Sequence, residues 1–358
     1  MSAQMTAQTT AQTTPIRVLQ WGLGAMGAGM ARLILDKPGL ELVAAVDARP
    51  DYVGADLGDV LGIGRRLGVT VTDHPEDVLD AASVDCVTIA TTSWAAQQRP
   101  DLRRILGAGI NVVTIAEEMA EPAAQNPQLS DELDALAREH GVSVVGVGVN
   151  PGLVLDLLVV ALTAGSHTVE RIEASRVNDL SPYGPTVMES QGVGMSVEAF
   201  RAGVADGTIV GHVGFPESIA LISDALGFGI DRIEQTREPI VSTVRRETPH
   251  VVVAPGMVAG CAHTGIGYRG DTELVRLVHP QQIHPHLEQQ PTGDYIHIYG
   301  TPEIALSIQP EIAGGIATQG MAVNMIPVLV AATPGLKRVI DLPVPAALMG
   351  PSAYRRRV

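Results

Sequence analysis

The feature that most constrains this chain is a glycine-rich turn close to its N-terminus. The β-type run Ile16–Trp21 leads directly into residues 22–27 (GLGAMG), and apolar residues then recur at helical spacing over 28–35. A second apolar run ends in Asp47, twenty residues after Gly27. A strand, a glycine turn, a helix and a second strand that ends in an acid are typical of a dinucleotide-binding crossover.

Each glycine of this turn has its own expected task. Gly22 permits the tight turn, Gly24 lets the backbone approach a pyrophosphate, and Gly27 lets helix and sheet pack closely. The N-terminus of the following helix adds free N–H groups and a partial positive charge. The sequence therefore predicts a cofactor-binding loop, against the alternative of a purely structural turn. The candidate residues of the loop are Gly22, Leu23, Gly24, Ala25 and Met26.

Two charged residues after the second strand bear on which dinucleotide is bound. Asp47 is placed to accept hydrogen bonds from the adenosine ribose and favours NAD, because a carboxylate repels a 2′-phosphate. Arg49 follows two residues later and is placed to bind that phosphate in NADP. The pair predicts an enzyme that uses either NADP or NAD.

Alternating β-type and helical runs continue to residue 150 and include six predicted strands. This alternation predicts a doubly wound, open parallel sheet of the Rossmann type with helices on both faces. Beyond Asn150, residues 169–177 alternate polar and apolar side chains, which is typical of a sheet with one wet face. The expected fold class is α/β, with an N-terminal Rossmann domain and a C-terminal α+β domain whose sheet is mostly antiparallel.

The predicted organisation has four parts. Residues 1–14 form a disordered tail, 15–150 the dinucleotide-binding domain, 151–318 the substrate and dimerisation domain, and 319–358 a C-terminal helix and tail packing back on the first domain. The second half is expected to hold helices at 153–163, 197–204 and 216–226, strands at 169–177, 240–246, 273–277, 295–299 and 305–308, and an apolar helix at 320–332.

Charge and cysteine content exclude several classes of function. The 39 acidic residues against 24 Lys and Arg give a net charge of −15, the wrong sign for attracting nucleic-acid phosphates or anionic lipid. Cys86 and Cys261 have no metal-ligand or redox spacing, which predicts two buried, reduced thiols. The N-terminal AQTT repeat lacks the apolar core of a signal peptide, and the apolar window 153–164 is too short to span a bilayer. We therefore expect a cytoplasmic protein that binds neither nucleic acid nor membrane.

Polar residues follow the fourth and fifth predicted strands, where ligands lie in an open parallel sheet. Thr91, Thr92 and Ser93 are candidates to line the cofactor ribose, and the alternative is a polar turn. Glu117 and Glu118 follow the fifth strand. If one of these acids faces the crevice, desolvation raises its pKa toward the range useful for proton transfer, whereas the alternative is a solvated acidic turn.

Lysine is scarce, and its positions restrict the mechanism. The only lysines are Lys37 and Lys337, and neither has a tyrosine four residues before it, which excludes Tyr-x-x-x-Lys chemistry. The position where homoserine dehydrogenases place a lysine after the fifth strand corresponds to Glu117. The predicted proton carrier is therefore an acid.

Four segments in combination resemble the 2,4-diaminopentanoate dehydrogenases and the related native amine dehydrogenases. They are WGLGAMG at 21–27, AEEM at 116–119, GVNPG at 148–152 and MAVNMIP at 321–327. The resemblance covers essentially everything after residue 15. It implies the two domains above, a homodimer, and NAD(P)H-dependent reductive amination of a ketone or aldehyde by ammonia. It also implies a catalytic glutamate after the fifth strand, which is carried to Glu117, with Glu118 as the second candidate and Ala116 beside the cofactor.

The remaining candidate site residues lie at or beyond the end of the first domain. Tyr183, His212 and Leu153 are candidates for contact with the substrate, and Asn150 for holding the nicotinamide. A lone histidine or tyrosine also has a purely structural alternative. The histidines at 279, 284, 286 and 297 match no common ligand spacing, so no metal site is predicted.

Three rival functions stay open from the sequence. They are a semialdehyde or cyclic-imine reductase of amino-acid metabolism, a 2,4-diaminopentanoate dehydrogenase proper, and a non-enzymatic dinucleotide sensor. The paired-histidine and lysine motif of dihydrodipicolinate reductases is missing, and Arg176, Arg201, Arg245, Arg246 and Arg269 are the possible clamps for a substrate carboxylate. A sensor oxidises no cofactor, and a semialdehyde reductase needs no ammonia.

Overall fold

The computed structural model describes residues 14–350, so nearly all of the predicted tail at 1–14 lies outside the described residues. The first part of the chain alternates strands with helices. Its strands are β1 (Ile16–Trp21), β2 (Leu40–Val46), β3 (Val71–Thr72), β4 (Cys86–Ile89), β5 (Asn111–Thr114) and β6 (Ser143–Gly146). Its helices are α1 (Ala25–Leu35), α2 (Leu57–Leu61), α3 (Ala95–Gly107) and α4 (Pro127–Glu139). Short 3₁₀ turns occupy Pro75–Asp77, Glu117–Ala120 and Pro122–Ala124.

The second part mixes longer strands with helices. It runs through α5 (Leu157–Thr163), β7 (Thr168–Asp179), α6 (Pro185–Ser190), α7 (Val197–Asp206), α8 (Phe215–Leu226), β8 (Arg232–Val241), β9 (Arg246–Glu247), β10 (Val252–Val253), β11 (Val258–Arg269), β12 (Thr272–Gln282), β13 (Gly293–Thr301), β14 (Ile304–Ile308), α9 (Gly314–Val330) and β15 (Gly335–Lys337). Two further 3₁₀ turns lie at Pro285–Glu288 and Val339–Asp341. None of the helices within 14–350 is long and apolar enough to cross a membrane.

The first sheet has the order β15-β6-β5-β4-β1-β2-β3 and every strand pair in it is parallel. Its inner strands are buried along nearly their whole length: all four residues of β4 are buried, and in β1 only Arg17 is partly exposed. Helices cover both faces of a sheet of this kind, which is why its strands lack alternation. The predicted doubly wound Rossmann sheet is confirmed, with a seventh strand, β15, that the sequence did not reveal.

The second sheet has the order β14-β13-β7-β12-β11-β8. Only the β12–β7 pair is parallel, and the other four pairs are antiparallel. Buried and half-exposed residues alternate along β12 and β13, because one face packs on a core with α5 and α8 and the other is open. The predicted α+β character and mostly antiparallel sheet are confirmed.

Three predicted elements differ from the structure. The strand expected at 240–246 ends at Val241, and β9 begins only at Arg246. The helix expected from 153 begins at Leu157, because the Asp156 carboxylate accepts hydrogen bonds from the N–H groups of Gly152 (2.7 Å) and Leu157 (2.6 Å) and caps that end. The helix at the C-terminal end begins at Gly314 instead of 320.

Strand β11 was missed because its Gly- and Ala-rich sequence lacks the branched residues that mark a strand. Small residues are required there by packing. A side chain at Gly260 would collide with the carbonyl oxygen of Gln281 on β12, and one at Gly265 would press on Phe215 of α8. The glycines therefore let the sheet and α8 approach each other closely.

Helix α9 joins the two parts of the molecule. It packs against α1, and its residues Met321, Val323 and Met325 belong to the same buried cluster as Met30 and Ile34 of α1. The chain then adds β15 to the edge of the first sheet beside β6. Helix α9 and β15 therefore both contact the parallel-sheet part.

Candidate functional site

The glycine turn leaves an open, polar entrance at the carboxyl end of β1. Gly22 has a left-handed φ of 87°, and a Cβ on Gly27 would collide with the Gly22 carbonyl. Gly24 is the N-cap of α1; a Cβ added there would meet nothing within 4 Å, and among the described residues no side chain caps this end. Gly24 and Ala25 are exposed, and Met26 is partly buried. The open glycine and the uncapped helix end fit a dinucleotide pyrophosphate.

Asp47 is held in place on both of its carboxylate oxygens. Oδ2 accepts from the backbone N–H of Leu23 at 2.6 Å and from the Arg49 guanidinium at 3.1 Å, while Oδ1 accepts from the Arg49 backbone N–H and Nε. Burial alone would raise the pKa of Asp47, but these hydrogen bonds together lower it below its ordinary value. Asp47 is therefore an anion already balanced by Arg49, whose guanidinium also stacks 3.7 Å from the ring centre of Tyr52.

The turn after β4 faces the same edge of the sheet. The Thr92 hydroxyl donates to Gln97 Oε1 at 2.6 Å, and Gln98 Nε2 donates to the Thr91 hydroxyl at 3.4 Å. The carbonyl oxygen of Ser93 accepts from the N–H of Glu118 at 3.2 Å, which ties this turn to the one after β5. Ala116 is buried, and its N–H donates to the Thr114 hydroxyl. The structure therefore brings the predicted residues of the two turns together.

The two adjacent glutamates have different surroundings. Glu118 is 7% exposed, and its Oε2 accepts from the N–H of Ala95 at 2.8 Å, the first residue of α3. Glu117 is partly exposed. Desolvation, with a further contribution from the charge of Glu118, raises the pKa of Glu117 against opposing hydrogen bonds from its own backbone and the Ser93 side chain. Glu118 thus caps a helix, whereas Glu117 has a reachable carboxyl group adapted to hold a proton.

Asn150 joins the end of the first sheet to a cluster of three histidines, the buried His263 and His279 and the half-buried His212. Asn150 Nδ2 lies 3.2 Å from His212 Nε2 and 3.4 Å from His279 Nδ1. His263 Nδ1 accepts from the backbone N–H of His212 at 2.9 Å. Asn150 Oδ1, His263 Nε2 and His279 Nε2 are buried and have no partner among the described residues. Such unpartnered atoms favour a polar ligand in this pocket.

All three histidines of this pocket are neutral at physiological pH. Burial lowers the pKa of His212 to about 3, with help from the charge of Arg176. Burial, reinforced by Arg237 and His212, lowers the pKa of His263 to about 2. The pKa of His279 also falls well below its ordinary value, mainly through burial. The pocket therefore offers hydrogen-bonding groups without a titrating base.

Tyr183 precedes α6 in the chain, but in space it lies beside Gly314, the first residue of α9. A Cβ on Gly314 would lie 2.5 Å from the Tyr183 hydroxyl and 3.5 Å from Arg176 Nη2. The next residue, Gly315, faces Met26 of the glycine turn, whose Sδ would be 3.8 Å from an added Cβ. Tyr183 and Arg176 therefore lie close to the start of α9, whose next residue faces the glycine turn, and burial raises the pKa of Tyr183.

Arg176 and His279 are site residues whose roles the sequence did not single out. Arg176 is 2% exposed and forms an ion pair with Asp294, with Nη1 2.6 Å from Oδ1. From the sequence, His279 was only one of four histidines that match no common metal-ligand spacing. No local pattern marks either residue, because strand pairing of β12 and β13 with β7 brings them to the pocket. Leu153 is half-buried and contacts the cores of both parts.

Of the four late histidines, only His284 and His286 lie beside each other. His279 lies in the pocket described above, and His297 pairs with Glu303. Asp179, His284 and His286 bring ligand atoms within 4.8 Å of one another, but both ring nitrogens of His284 already have partners, the Ser181 hydroxyl at 3.0 Å and the Glu247 carbonyl at 2.8 Å. The prediction that the site uses no metal stays a prediction.

A parallel sheet in this strand order, with an open glycine turn and an acid that closes its second strand, defines the chain as a nicotinamide-dependent oxidoreductase. The model of the 2,4-diaminopentanoate dehydrogenase C-terminal domain matches residues 153–357, and that of the dihydrodipicolinate reductase N-terminus matches 16–114. The chain belongs to the 2,4-diaminopentanoate dehydrogenase family.

Individual relatives agree with this assignment. A 2,4-diaminopentanoate dehydrogenase from Acetoanaerobium sticklandii is 46% identical over 94% of this chain and 95% of its own. An amine dehydrogenase from Streptomyces virginiae is 29% identical over 93% of this chain and 98% of its own. The solved structure of an amine dehydrogenase from Mycobacterium smegmatis superposes with a TM-score of 0.82 at 28% identity, covering 93% of this chain and 97% of that one.

Proposed function

We propose that this protein is an NAD(P)H-dependent amine dehydrogenase that converts a ketone or aldehyde and ammonia into a primary amine. The observation that carries the proposal is the partly exposed Glu117 carboxyl group, with its raised pKa, at the same carboxyl edge of the parallel sheet as the open glycine loop. A carboxyl group whose pKa is raised suits a reaction in which one group both takes up and releases a proton. The family membership supports the same activity.

The chain's own residues supply proton transfer and orientation. Glu117 accepts a proton from ammonium, returns it to the departing hydroxyl of the carbinolamine, and as an anion offsets the positive charge of the iminium. Glu118 fixes the turn through the N–H of Ala95. Asn150, His212 and His279 line the substrate pocket with neutral polar atoms. The glycine turn would hold the pyrophosphate of a bound dinucleotide, whose nicotinamide would supply the hydride.

Both dinucleotides are expected to bind. The carboxylate of Asp47 is available to the ribose hydroxyls that NAD presents, while the adjacent Arg49 guanidinium reduces its repulsion of a 2′-phosphate. Cofactor contacts are assigned to the backbone of Gly22, Gly24, Ala25 and Met26, to Asp47 and Arg49, to Thr91, Thr92, Ser93 and Ala116, and to Asn150. Leu23 contributes indirectly, because its N–H is bound to Asp47.

A second candidate is 2,4-diaminopentanoate dehydrogenase proper. Two observations favour it, the 46% identity to the Acetoanaerobium sticklandii enzyme and the buried Arg176, which lies near Tyr183 and acts on the pKa of His212. An arginine at the pocket would attract the carboxylate of an amino-acid substrate. A plain ketone has no such group, so the two candidates differ in what they need from Arg176.

We also infer a cytoplasmic homodimer. The open face of the second sheet carries half-exposed side chains that include Ile266, Val278 and Tyr295, and a groove of about 580 Å³ crosses it. Apolar side chains spread over an uncovered sheet face support association of two copies. Cys86 and Cys261 are both buried and free, as expected for a reducing compartment. Light scattering of the purified chain would measure its mass, and a monomer would contradict the dimer.

The decisive experiment is a panel of ketones, aldehydes and 2-amino-4-oxopentanoate, each assayed with and without ammonia and with either cofactor. An amine dehydrogenase oxidises NADH or NADPH only when both ammonia and a carbonyl compound are present. Oxidation without ammonia indicates a semialdehyde or imine reductase, and no oxidation indicates a dinucleotide sensor. Activity confined to 2-amino-4-oxopentanoate identifies the second candidate.

A further inference from the structure

A fully buried acid, Glu217, lies where α8 meets the turns that follow β5. It stands in the first turn of α8 and is 0% exposed. Its Oε1 accepts a hydrogen bond from Gln125 Nε2 at 2.6 Å, and its Oε2 has no partner among the described residues. Because Gln125 follows the Pro122–Ala124 turn, this hydrogen bond links the two parts of the molecule.

Other acids face Glu217 across this contact. Glu118 and Glu121 both act electrostatically on it, and Glu121 is paired at 3.5 Å with Arg338. Arg338 is shared with Asp224 and Asp341, so a single guanidinium serves three carboxylates. No described cation forms an ion pair with Glu217 or Glu118. The acids therefore repel one another unless one of them carries a proton.

The remaining neighbours of α8 supply no compensating charge. On the α5 side, Asp156 accepts a hydrogen bond from the Ser218 hydroxyl at 3.0 Å. On the sheet side, His263 packs against Phe215 of α8, and His279 contacts His212; both histidines are neutral. Burial, with repulsion from Glu118 and Glu121, raises the pKa of Glu217 to about 7 against the hydrogen bond from Gln125.

The contact between α8 and the turns after β5 includes the segment that carries the proposed catalytic Glu117. Helix α8 packs on the Glu117–Ala120 turn as well as on Pro122–Ala124. Glu118, which repels an ionised Glu217, is the immediate neighbour of Glu117 and holds the turn through Ala95. A change in the charge of Glu217 therefore acts on the segment that carries Glu117.

We propose that Glu217 is a positioning residue, which keeps α8 against the turn bearing Glu117 while it is protonated and weakens that contact when it ionises. The proposal rests on the proposed amine dehydrogenase function for its catalytic part. An uncharged carboxyl group satisfies Gln125 without adding charge to the Glu118 and Glu121 cluster. The ionised form leaves an unpaired buried charge, which is unfavourable in a desolvated contact.

The test compares E217Q and E217A with wild type. The amide of E217Q has the shape of the protonated acid but cannot ionise. With ammonium and carbonyl substrate saturating at each pH, we expect the ratio of kcat for E217Q to kcat for wild type to rise at least about fivefold from pH 6 to pH 9. E217A removes the hydrogen bond with Gln125 and is expected to lower kcat at every pH, whereas E217Q restores turnover at pH 6.

The control is E198Q, because Glu198 also lies in the first turn of a helix, α7, but is exposed. Its profile should follow wild type. A kcat ratio for E217Q that stays constant with pH, or an E217Q variant as impaired as E217A at pH 6, would overturn the proposal.

A second measurement is independent of activity. Thermal unfolding of wild type and E217Q between pH 5 and pH 9 should show that wild type loses Tm relative to E217Q as pH rises to about 7, after which the difference stays constant. Over that range the unfolded chain releases the Glu217 proton while the folded protein still holds it. Parallel Tm curves would overturn the proposal even in an active enzyme. If no carbonyl compound supports ammonia-dependent oxidation, the proposed function fails, and these curves still decide the role of Glu217.

Discussion

Burial shifts the pKa values of the ionisable groups in opposite directions on the two sides of the candidate site. On the parallel-sheet side and its contact with α8, Glu117 and Glu217 have raised pKa values and tend to hold protons. On the antiparallel-sheet side, His212 and His263 have strongly lowered pKa values and give up theirs. Burial disfavours the charged form in both cases. The difference teaches that burial favours protonation of these carboxyl groups and deprotonation of these imidazoles, although histidine is the usual acid–base residue.

A third region shows what a charge partner changes. Asp47 is 9% exposed, yet its pKa is lowered, because Arg49 and the N–H of Leu23 bind its carboxylate. Glu217 has only the amide of Gln125 as a partner, and its pKa is raised to about 7. Burial therefore decides the protonation state only where no cation is in contact.

The strongest test of the comparison is Glu117→Gln. If proton transfer belongs to the acidic side of the candidate site, this isosteric change should lower kcat by at least about a hundredfold, while the substrate KM changes little. The measurement is steady-state oxidation of NAD(P)H in the presence of ammonia and a carbonyl compound.

Glu118→Gln is its matched control. The side-chain oxygen of glutamine can still accept from the N–H of Ala95, so we expect a loss of less than about tenfold. Near-normal turnover in the Glu117 variant, with a large loss in the Glu118 variant, would transfer the catalytic role to Glu118.

The next test concerns the neutral histidines His212, His263 and His279 and the pH dependence of stability. The pKa of His263 is about 2 in the folded protein, far below its ordinary value of 6.5, so below pH 6.5 the unfolded chain binds more protons. The free energy of unfolding should therefore fall as pH drops from about 6.5 to 4.5, by up to ~1.4 kcal/mol per pH unit for each such histidine. Urea denaturation at several pH values measures this slope.

His263→Asn should make that slope shallower, because asparagine keeps an acceptor for the N–H of His212 but does not titrate. The control is His74→Asn, at an exposed histidine whose pKa is raised, mainly by its hydrogen bond with Glu76. This change should not make the slope shallower. Equal slopes for wild type and His263→Asn would mean that the pocket histidines are charged in the folded protein.

The smallest expected effect concerns Asp47, whose negative charge is balanced by Arg49. Wild type should use NADH and NADPH with kcat/KM values within about a thousandfold, roughly 4 kcal/mol, of each other. Arg49→Gln leaves Asp47 without its guanidinium partner, so kcat/KM for NADPH should fall about tenfold and that for NADH about twofold or less. An equal loss with both cofactors would assign Arg49 a role in folding instead of phosphate recognition.

The parallel-sheet half was predictable because its determinants are local. The glycine turn, the spacing from Gly27 to Asp47 and the strand–helix alternation each lie within one crossover unit. Such signals specified the type of sheet and six of its seven strands. Strand β15 escaped prediction because three residues after a long excursion carry no pattern of their own.

The histidine pocket was only partly predictable because its members come from distant segments. His212 was predicted as a site residue because glycines flank it. His263 was not predicted, because it lies on β11, whose small residues do not mark a strand. Arg176 was one of five possible clamps, and only the pairing of β7 with β13 places it beside Asp294. Glu217 gave no signal, since an acid in the first turn of a helix is ordinary and its burial depends on Gln125.

The late return of the chain to the first sheet affects how the protein is made. A nascent chain that has emerged as far as Asn150 has synthesised β1 to β6 but not α9, which covers α1, or the edge strand β15. The ribosome must complete the whole second sheet before those pieces exist. The dinucleotide-binding half therefore cannot finish folding first, as N-terminal domains commonly do. The apolar surface of α1 is covered only after α9 has been synthesised.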